Sequence, residues 1–133
     1  MSADNIGVRI WAGRVLSALP VLMLLMSAFM KISQNPQAVE GFQKGGWPAG
    51  VCVPLGVVEL LSTVLYVIPR TATLGAVLLT GYLGGAVATH VHGGDPAGQV
   101  AIPFLCGVLV WLGLFLRDAR FRALLPLRKP ELS

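Results

Sequence analysis

A single acidic side chain, Glu59, interrupts an otherwise uncharged apolar stretch over residues 50–68. A carboxylate at the centre of a membrane span costs about 2.5–3.5 kcal/mol on insertion scales, so Glu59 must face other helices and find a partner or a proton. In a helix, small and polar residues share its face: Cys52, Gly56, Thr63 and Tyr66. Two roles are open for Glu59, a hydrogen-bonded lock between helices or an acid that handles protons or orients a ligand.

Tyr82 lies at a similar depth in the next apolar segment, residues 72–92, which runs in the opposite direction. We therefore expect Tyr82 to approach Glu59. Lys31 ends the first apolar segment on the same side of the membrane, a turn or two shallower than Glu59. We expect Lys31 to extend to the membrane surface, with an ion pair to Glu59 as the alternative.

Two histidines, His90 and His92, end the segment that contains Tyr82. An i, i+2 pair points to different faces of a helix and chelates poorly unless the helix ends there. By residue count Cys52 and Cys106 fall near the same surface, so a metal site or a Cys52–Cys106 disulfide is an open alternative. No chelating spacing supports a metal, and solvated histidines are the favoured interpretation.

The elements that carry these residues are those of a membrane protein. The chain has 133 residues, of which 55% are hydrophobic and 12% charged, and its mean hydropathy is +0.75. A helix of roughly 20 apolar residues crosses a bilayer. We predict a single all-α domain, a four-helix transmembrane bundle, with helices over about 10–32, 50–68, 72–92 and 99–116 and a basic tail over 117–133.

The basic residues predict how these helices are oriented. With four crossings, eight of the ten Lys and Arg residues fall on one side, and only Lys31 and Lys44 fall on the other. Cytoplasmic loops are enriched in Lys and Arg, so both termini are expected to be cytoplasmic. The basic residues that give the chain its net charge of +4 lie at the ends of the apolar segments. This position favours a lipid bilayer as the partner and not nucleic acid.

Small residues in the third segment suggest where helices pack. The set is Gly81, Gly84, Gly85 and Ala88, at the spacing of two overlapping small-xxx-small motifs. Between transmembrane helices, close backbone approach over small residues supplies much of the attraction. We therefore expect this set to form the packing surface of the bundle.

Three motifs in the sequence resemble those of the DoxX-like family: YVIPRTA at 66–72, GYLGGAVATHV at 81–91 and LRDARFRALLPLR at 116–128. The resemblance implies a small four-helix protein of the bacterial inner membrane. Relatives include subunits associated with quinone-linked sulfur oxidation and with redox or detoxification complexes. The resemblance supplies no general set of catalytic residues, and relatives often carry Arg where this chain has His92.

The resemblance and the residues together give three functional hypotheses. The first is a membrane subunit or anchor of a redox-linked complex, with a pocket for a quinone-like molecule. The alternatives are a stand-alone pocket, monomeric or in a homo-oligomer, that binds or transports a small hydrophobic molecule, and an intramembrane enzyme using Glu59 and His90. The candidate ligand-binding residues are Glu59, Tyr82, Thr63, His90 and Lys31.

Overall fold

The structure, a computed structural model, describes residues 3–124. Every regular element in this part of the chain is helical, as the composition predicts. The helices are α1 (Ala3–Ile32), α2 (Pro36–Lys44), a 3₁₀ turn (Ala49–Val51), α3 (Cys52–Val67), α4 (Ala72–His92), α5 (Ala97–Arg117) and α6 (Ala119–Leu124). Part of the predicted basic tail forms α6, and residues 125–133 lie outside the described residues.

Three of the described helices, α1, α4 and α5, are long and apolar enough to cross a membrane. Helix α3 is also apolar, but its 16 residues span only about 24 Å at 1.5 Å per residue. The hydrocarbon core of a bilayer is about 30 Å thick. The chain therefore has the helices of a multi-pass membrane protein, and a crossing by α3 stays a prediction.

The four long helices contact one another in a ring. Helix α1 packs against α3 and α5, and α4 packs against the same two helices. The core between them holds Tyr66, Leu79, Val110 and Leu114, all fully buried. These side chains come from α3, α4 and α5, so a single apolar core fixes the positions of the helices that carry the polar residues.

Helix α2 begins at Pro36, directly after its N-cap residue Asn35. The Asn35 side chain accepts a hydrogen bond from the backbone N–H of Gln37 at 3.0 Å, and proline occupies the first helical turn, where its missing N–H costs nothing. No residue of α2 is buried. This short helix therefore lies outside the core of the ring.

The closest helix contacts are made at glycines other than the predicted set. A Cβ on Gly75 of α4 would overlap the Tyr66 backbone, and a Cβ on Gly13 of α1 would lie 2.7 Å from the Arg117 nitrogen. Gly113 of α5 in turn lies against Ser17. These glycines allow α4 to approach α3 and α1 to approach α5, since any larger side chain would separate the backbones.

The expectation that Gly81, Gly84, Gly85 and Ala88 pack against another helix of the chain is corrected by the structure. All four are exposed, and a Cβ on any of the three glycines would meet nothing within 4 Å. The face of α4 that contacts its neighbours carries Ala72, Gly75, Ala76, Leu79 and Leu83. Two residues turn a helix by about 200°, so Gly81 lies on nearly the opposite side from Leu79.

Candidate functional site

Glu59 is the acceptor at the centre of a buried polar cluster. Its side chain is 1% exposed, and one oxygen, Oε2, accepts three hydrogen bonds. The donors are Lys31 Nζ at 2.9 Å, Tyr82 Oη at 3.0 Å and Ser27 Oγ at 3.3 Å. Lys31 Nζ also donates to Ser27 Oγ. We call these four residues, which come from α1, α3 and α4, the polar centre.

The helices bring these groups together through simple spacing. Ser27 and Lys31 are one turn apart on α1, so both side chains leave the same face. Gly56, one turn before Glu59, allows α1 to approach closely, since a Cβ there would lie 2.8 Å from Lys31 Cβ. Tyr82 reaches Glu59 from the antiparallel helix α4, as its depth predicts.

The ion pair between Lys31 and Glu59, the alternative raised by the sequence, is therefore formed. The Lys31 side chain is 13% exposed, and its ammonium lies 5.6 Å and 5.9 Å from the ring centres of Tyr82 and Phe42. An ammonium has three N–H donors. Glu59 and Ser27 take two of them, which leaves one N–H for another acceptor.

A cavity of about 1000 Å³ adjoins the polar centre. Ser27, Lys31 and Tyr82 line it, whereas Glu59 lies behind them. Most of the remaining lining is apolar and includes Met23, Met26, Leu55, Val58, Val77 and Leu78, and polar residues also line the cavity, among them Gln37, Lys44, His90, Asp95 and Gln99. Ligand sites are typically clefts of about 300–1000 Å³ with mostly apolar walls and a few fixed polar groups, and this cavity fits that description.

The end of the cavity near Lys31 is covered by α2 and the turn that follows it. Trp47 Nε1 donates to Thr89 Oγ1 of α4 at 3.1 Å and so ties this turn to the end of α4. His90 also lines the cavity, with its Nδ1 2.7 Å from Asp95 Oδ2. Within residues 3–124, His90 pairs with Asp95 and Glu59 pairs with Lys31, and no hydrogen bond joins His90 to Glu59.

The candidate residues separate into two groups. Lys31, Tyr82 and His90 line the cavity and Glu59 lies directly behind it, whereas Thr63 is not among the lining residues. Thr63 is fully buried, and its hydroxyl donates to the backbone oxygen of Glu59 at 2.7 Å. The single O–H of Thr63 is therefore used within its own helix, and its burial separates the side chain from the cavity.

Ser27 is the member of the polar centre that sequence reasoning missed. It contacts both charged residues of the ion pair, since Lys31 donates to it and it donates to Glu59. The signal that could have found it is its position one helical turn before Lys31, in a segment with no other polar side chain nearby. The methionines of α1 were also missed as lining residues.

The sequence left open a metal site or a disulfide that would involve Cys52 and Cys106, and the structure forms neither among the described residues. Cys52 and Cys106 are both free and buried, so the disulfide alternative is corrected. The Cys52 thiol lies 3.6 Å from the Lys31 carbonyl oxygen, and Cys106 Sγ lies 4.0 Å from Met23 Sδ. Within residues 3–124, no group of three or more His, Cys, Asp or Glu side chains could hold a metal ion.

Comparison with known proteins identifies one family. A sequence model of the DoxX-like family matches residues 15–113. The matched range contains the whole polar centre and two of the three motifs quoted above, and the third motif, at 116–128, lies beyond it. No curated protein and no solved structure matches the chain.

Proposed function

Because this chain belongs to the DoxX-like family, we propose that it is a four-helix transmembrane protein that binds a small, neutral, amphipathic molecule of quinone-like chemistry. The observation that carries the proposal is the cavity of about 1000 Å³, in which an apolar lining leads to a fixed polar centre. An apolar chain would lie among the methionines and aliphatic side chains. A polar head group would lie against Lys31 and Tyr82.

The charge of the polar centre selects a neutral head group. Lys31 and Glu59 compensate each other at 2.9 Å, so a charged head group placed against them would meet no unpaired counter-charge and would lose its own hydration. Lys44 also lines the cavity, but it belongs to the last turn of α2 and not to the polar centre. The remaining N–H of Lys31 is a donor without a partner in the cluster. A carbonyl oxygen, of the kind a quinone carries, is the matching acceptor.

The apolar wall of the cavity supports access from the lipid. Met26 of α1 and Val77 of α4 line the cavity, yet they are 69% and 53% exposed. In a membrane such exposed apolar side chains contact lipid tails. A hydrophobic molecule dissolved in the bilayer would therefore reach the polar centre without passing through water.

The proposed orientation follows from the positions of the charges. Arg14, Arg117 and Arg120 meet at one end of the ring, and Lys31 lies at the opposite end of α1. By the enrichment of positive residues on the cytoplasmic side, the arginine-rich end and both termini face the cytoplasm of the bacterial inner membrane. The polar centre then lies toward the outer surface.

Two leucine substitutions on one helix test the cavity. Gly81 lines the cavity and Gly84 does not, although both are exposed on α4 and neither position is crowded. Protein in a mild detergent is titrated with decylubiquinone, and lipid extracts of the purified protein are analysed by mass spectrometry. We expect Gly81→Leu to weaken binding at least fivefold and Gly84→Leu to leave it within twofold of wild type. Equal binding by wild type and Gly81→Leu would refute the proposal.

A second candidate function is a membrane subunit of a redox-linked complex. It is favoured by the exposed small residues Gly84 and Ala88, which leave α4 open to close approach by a helix of another protein or of a second copy. If a partner helix packs against this face of α4, Gly84→Leu should release a protein that co-purifies with the wild type. Quinone binding in the cavity should be unchanged by the same substitution.

A further inference from the structure

A second, smaller cavity lies at the arginine-rich end of the ring, far from the polar centre. Its volume is about 240 Å³. It lies where the first part of α1, the turn before α4 and the junction of α5 with α6 meet. The lining residues are Arg14, Pro69, Ala72, Arg117, Asp118 and Arg120.

The charges around this cavity are unbalanced, with three guanidinium groups and one carboxylate. In residues 3–124 the ion pairs within 4.0 Å are Lys31–Glu59 and His90–Asp95, so none of the three arginines is paired there. The Asp118 carboxylate has another task. Its Oδ1 accepts hydrogen bonds from the backbone nitrogens of Arg120 and Phe121, at 2.9 Å and 3.4 Å, at the start of α6.

One of the three arginines is fixed in place before any ligand arrives. The Arg117 guanidinium lies over the Tyr66 ring, 4.6 Å from its centre, and its Nη2 donates to the Tyr66 carbonyl oxygen at 2.9 Å. Its Nε is buried, and it has no hydrogen-bond partner among the described residues. A guanidinium held in this way loses little side-chain entropy when it binds an anion.

We propose that this cavity binds a phosphate group. Guanidinium groups match the oxygens of phosphate through two parallel N–H bonds, and such charge-assisted bonds are stronger than neutral ones. Ala72, the first residue of α4, also lines the cavity, and α4 has no side-chain cap. Its first backbone N–H groups add partial positive charge at the same place.

Two sources can supply this group at the surface of a membrane, namely an anionic phospholipid head group and a soluble phosphate. A water molecule takes up roughly 30 Å³ of liquid, so a cavity of about 240 Å³ has room for a phosphate and part of its substituent. The site shares no residue with the larger cavity. Failure of one proposal would therefore leave the other standing.

Two double variants that each remove two positive charges test the site. Arg14→Gln/Arg120→Gln removes two lining arginines, both of them exposed, so the fold should persist. The control, Arg9→Gln/Arg70→Gln, removes two arginines of the same end that do not line the cavity. Thermal unfolding without added phosphate checks that both variants fold like wild type.

Delipidated protein in detergent is titrated with dioleoyl phosphatidylglycerol and followed by native mass spectrometry. A second arm measures protection from thermal unfolding by inorganic phosphate, against sodium chloride at equal ionic strength. We expect saturable binding in at least one arm, weakened at least tenfold by Arg14→Gln/Arg120→Gln and less than twofold by the control. The responding arm identifies the source. Equal weakening in both variants, or no saturable binding in either arm, would overturn the proposal.

Discussion

Lys31 and Glu59 form an ion pair of 2.9 Å that joins the last turn of α1 to the middle of α3. The pair has two consequences at once. It lowers the cost of placing two charges in an apolar environment, because each charge compensates the other. It also holds Lys31 in one position against the cavity, with one N–H left for an acceptor. The structural role of Glu59 and its proposed role in ligand binding are therefore compatible.

The first prediction concerns Glu59→Gln. From the sequence alone, a purely structural Glu59 would make this substitution nearly silent, because an amide can still accept a hydrogen bond from Tyr82. The structure changes the expectation, since Gln would leave Lys31 without its counter-charge. Removing one partner of a buried pair typically costs about 3–5 kcal/mol. We expect a loss of that size in the free energy of unfolding, measured by denaturant titration in detergent micelles.

The matched control is the double variant Lys31→Met/Glu59→Gln. It removes both charges, so its loss of stability should be smaller than the sum of the losses in Lys31→Met and Glu59→Gln. Additive losses would show that the two side chains do not stabilise each other. A Glu59→Gln variant as stable as the wild type would also show that Lys31 and Glu59 do not stabilise each other.

The second prediction compares the two tyrosines of the described helices. Tyr82→Phe removes one of three donors to Glu59, and Tyr66→Phe removes hydroxyl contacts to Ser17 at 3.0 Å and to the Val110 carbonyl at 2.7 Å. Tyr66→Phe should lower the free energy of unfolding by about 0.5–1.5 kcal/mol, and Tyr82→Phe, which removes a bond to a carboxylate, by about 1.5–3 kcal/mol. Only Tyr82 lines the cavity. Decylubiquinone titration should therefore show weaker binding for Tyr82→Phe alone, and equal effects of both variants would count against the proposed site.

Part of the polar centre could be predicted from the sequence. The contact of Glu59 with Tyr82 follows from counting residues along two antiparallel apolar segments, because helical rise fixes depth. The preference for a surface position of Lys31 was wrong. Whether its side chain extends to the surface or turns inward depends on how closely α1 approaches α3, and that distance is set by Gly56. Residue spacing within one helix carries no information about this approach.

The packing of the helices was harder to predict, for a related reason. The motif from Gly81 to Ala88 has the spacing of a packing surface, but spacing does not say whether a face meets another helix, a cavity or lipid. Gly13 and Ser17 have the same four-residue spacing, and both are buried where α1 meets α5. The chain has several small-xxx-small motifs. Only the observed contacts between helices show which of these motifs pack against another helix of the same chain.

The third prediction tests this correction with two alanine substitutions on α4. Gly75→Ala would place a methyl group against the Tyr66 backbone, which cannot move away as a flexible side chain can. We expect a loss of about 1–3 kcal/mol in stability, the usual cost of overpacking. Gly84→Ala meets nothing within 4 Å and should leave the unfolding temperature unchanged or slightly higher. A destabilised Gly84→Ala variant together with a neutral Gly75→Ala variant would reverse the assignment of the packing face.

The fourth prediction concerns whether α3 crosses the membrane despite its 16 residues. With four crossings, position 37 in α2 lies outside, position 70 between α3 and α4 lies inside, and the C-terminus lies inside. We expect Gln37→Cys in intact cells to react with a membrane-impermeant maleimide and Arg70→Cys to react only after the cells are permeabilised. The native Cys52 and Cys106 are buried and should give little background.

A reporter fused after Ser133 gives an independent test of whether the chain crosses the membrane four times or three times. If α3 does not cross, positions 37 and 70 lie on the same side of the membrane, α4 and α5 run in the reverse directions, and the C-terminus moves outside. The arginines near the end of α5 would then face outward, against the enrichment of positive charge on the cytoplasmic side. We therefore expect a cytoplasmic signal from the reporter. An external signal, together with labelling of Arg70→Cys in intact cells, would reduce the crossings to three and would contradict the contact between α1 and the end of α5 at Gly13 and Arg117.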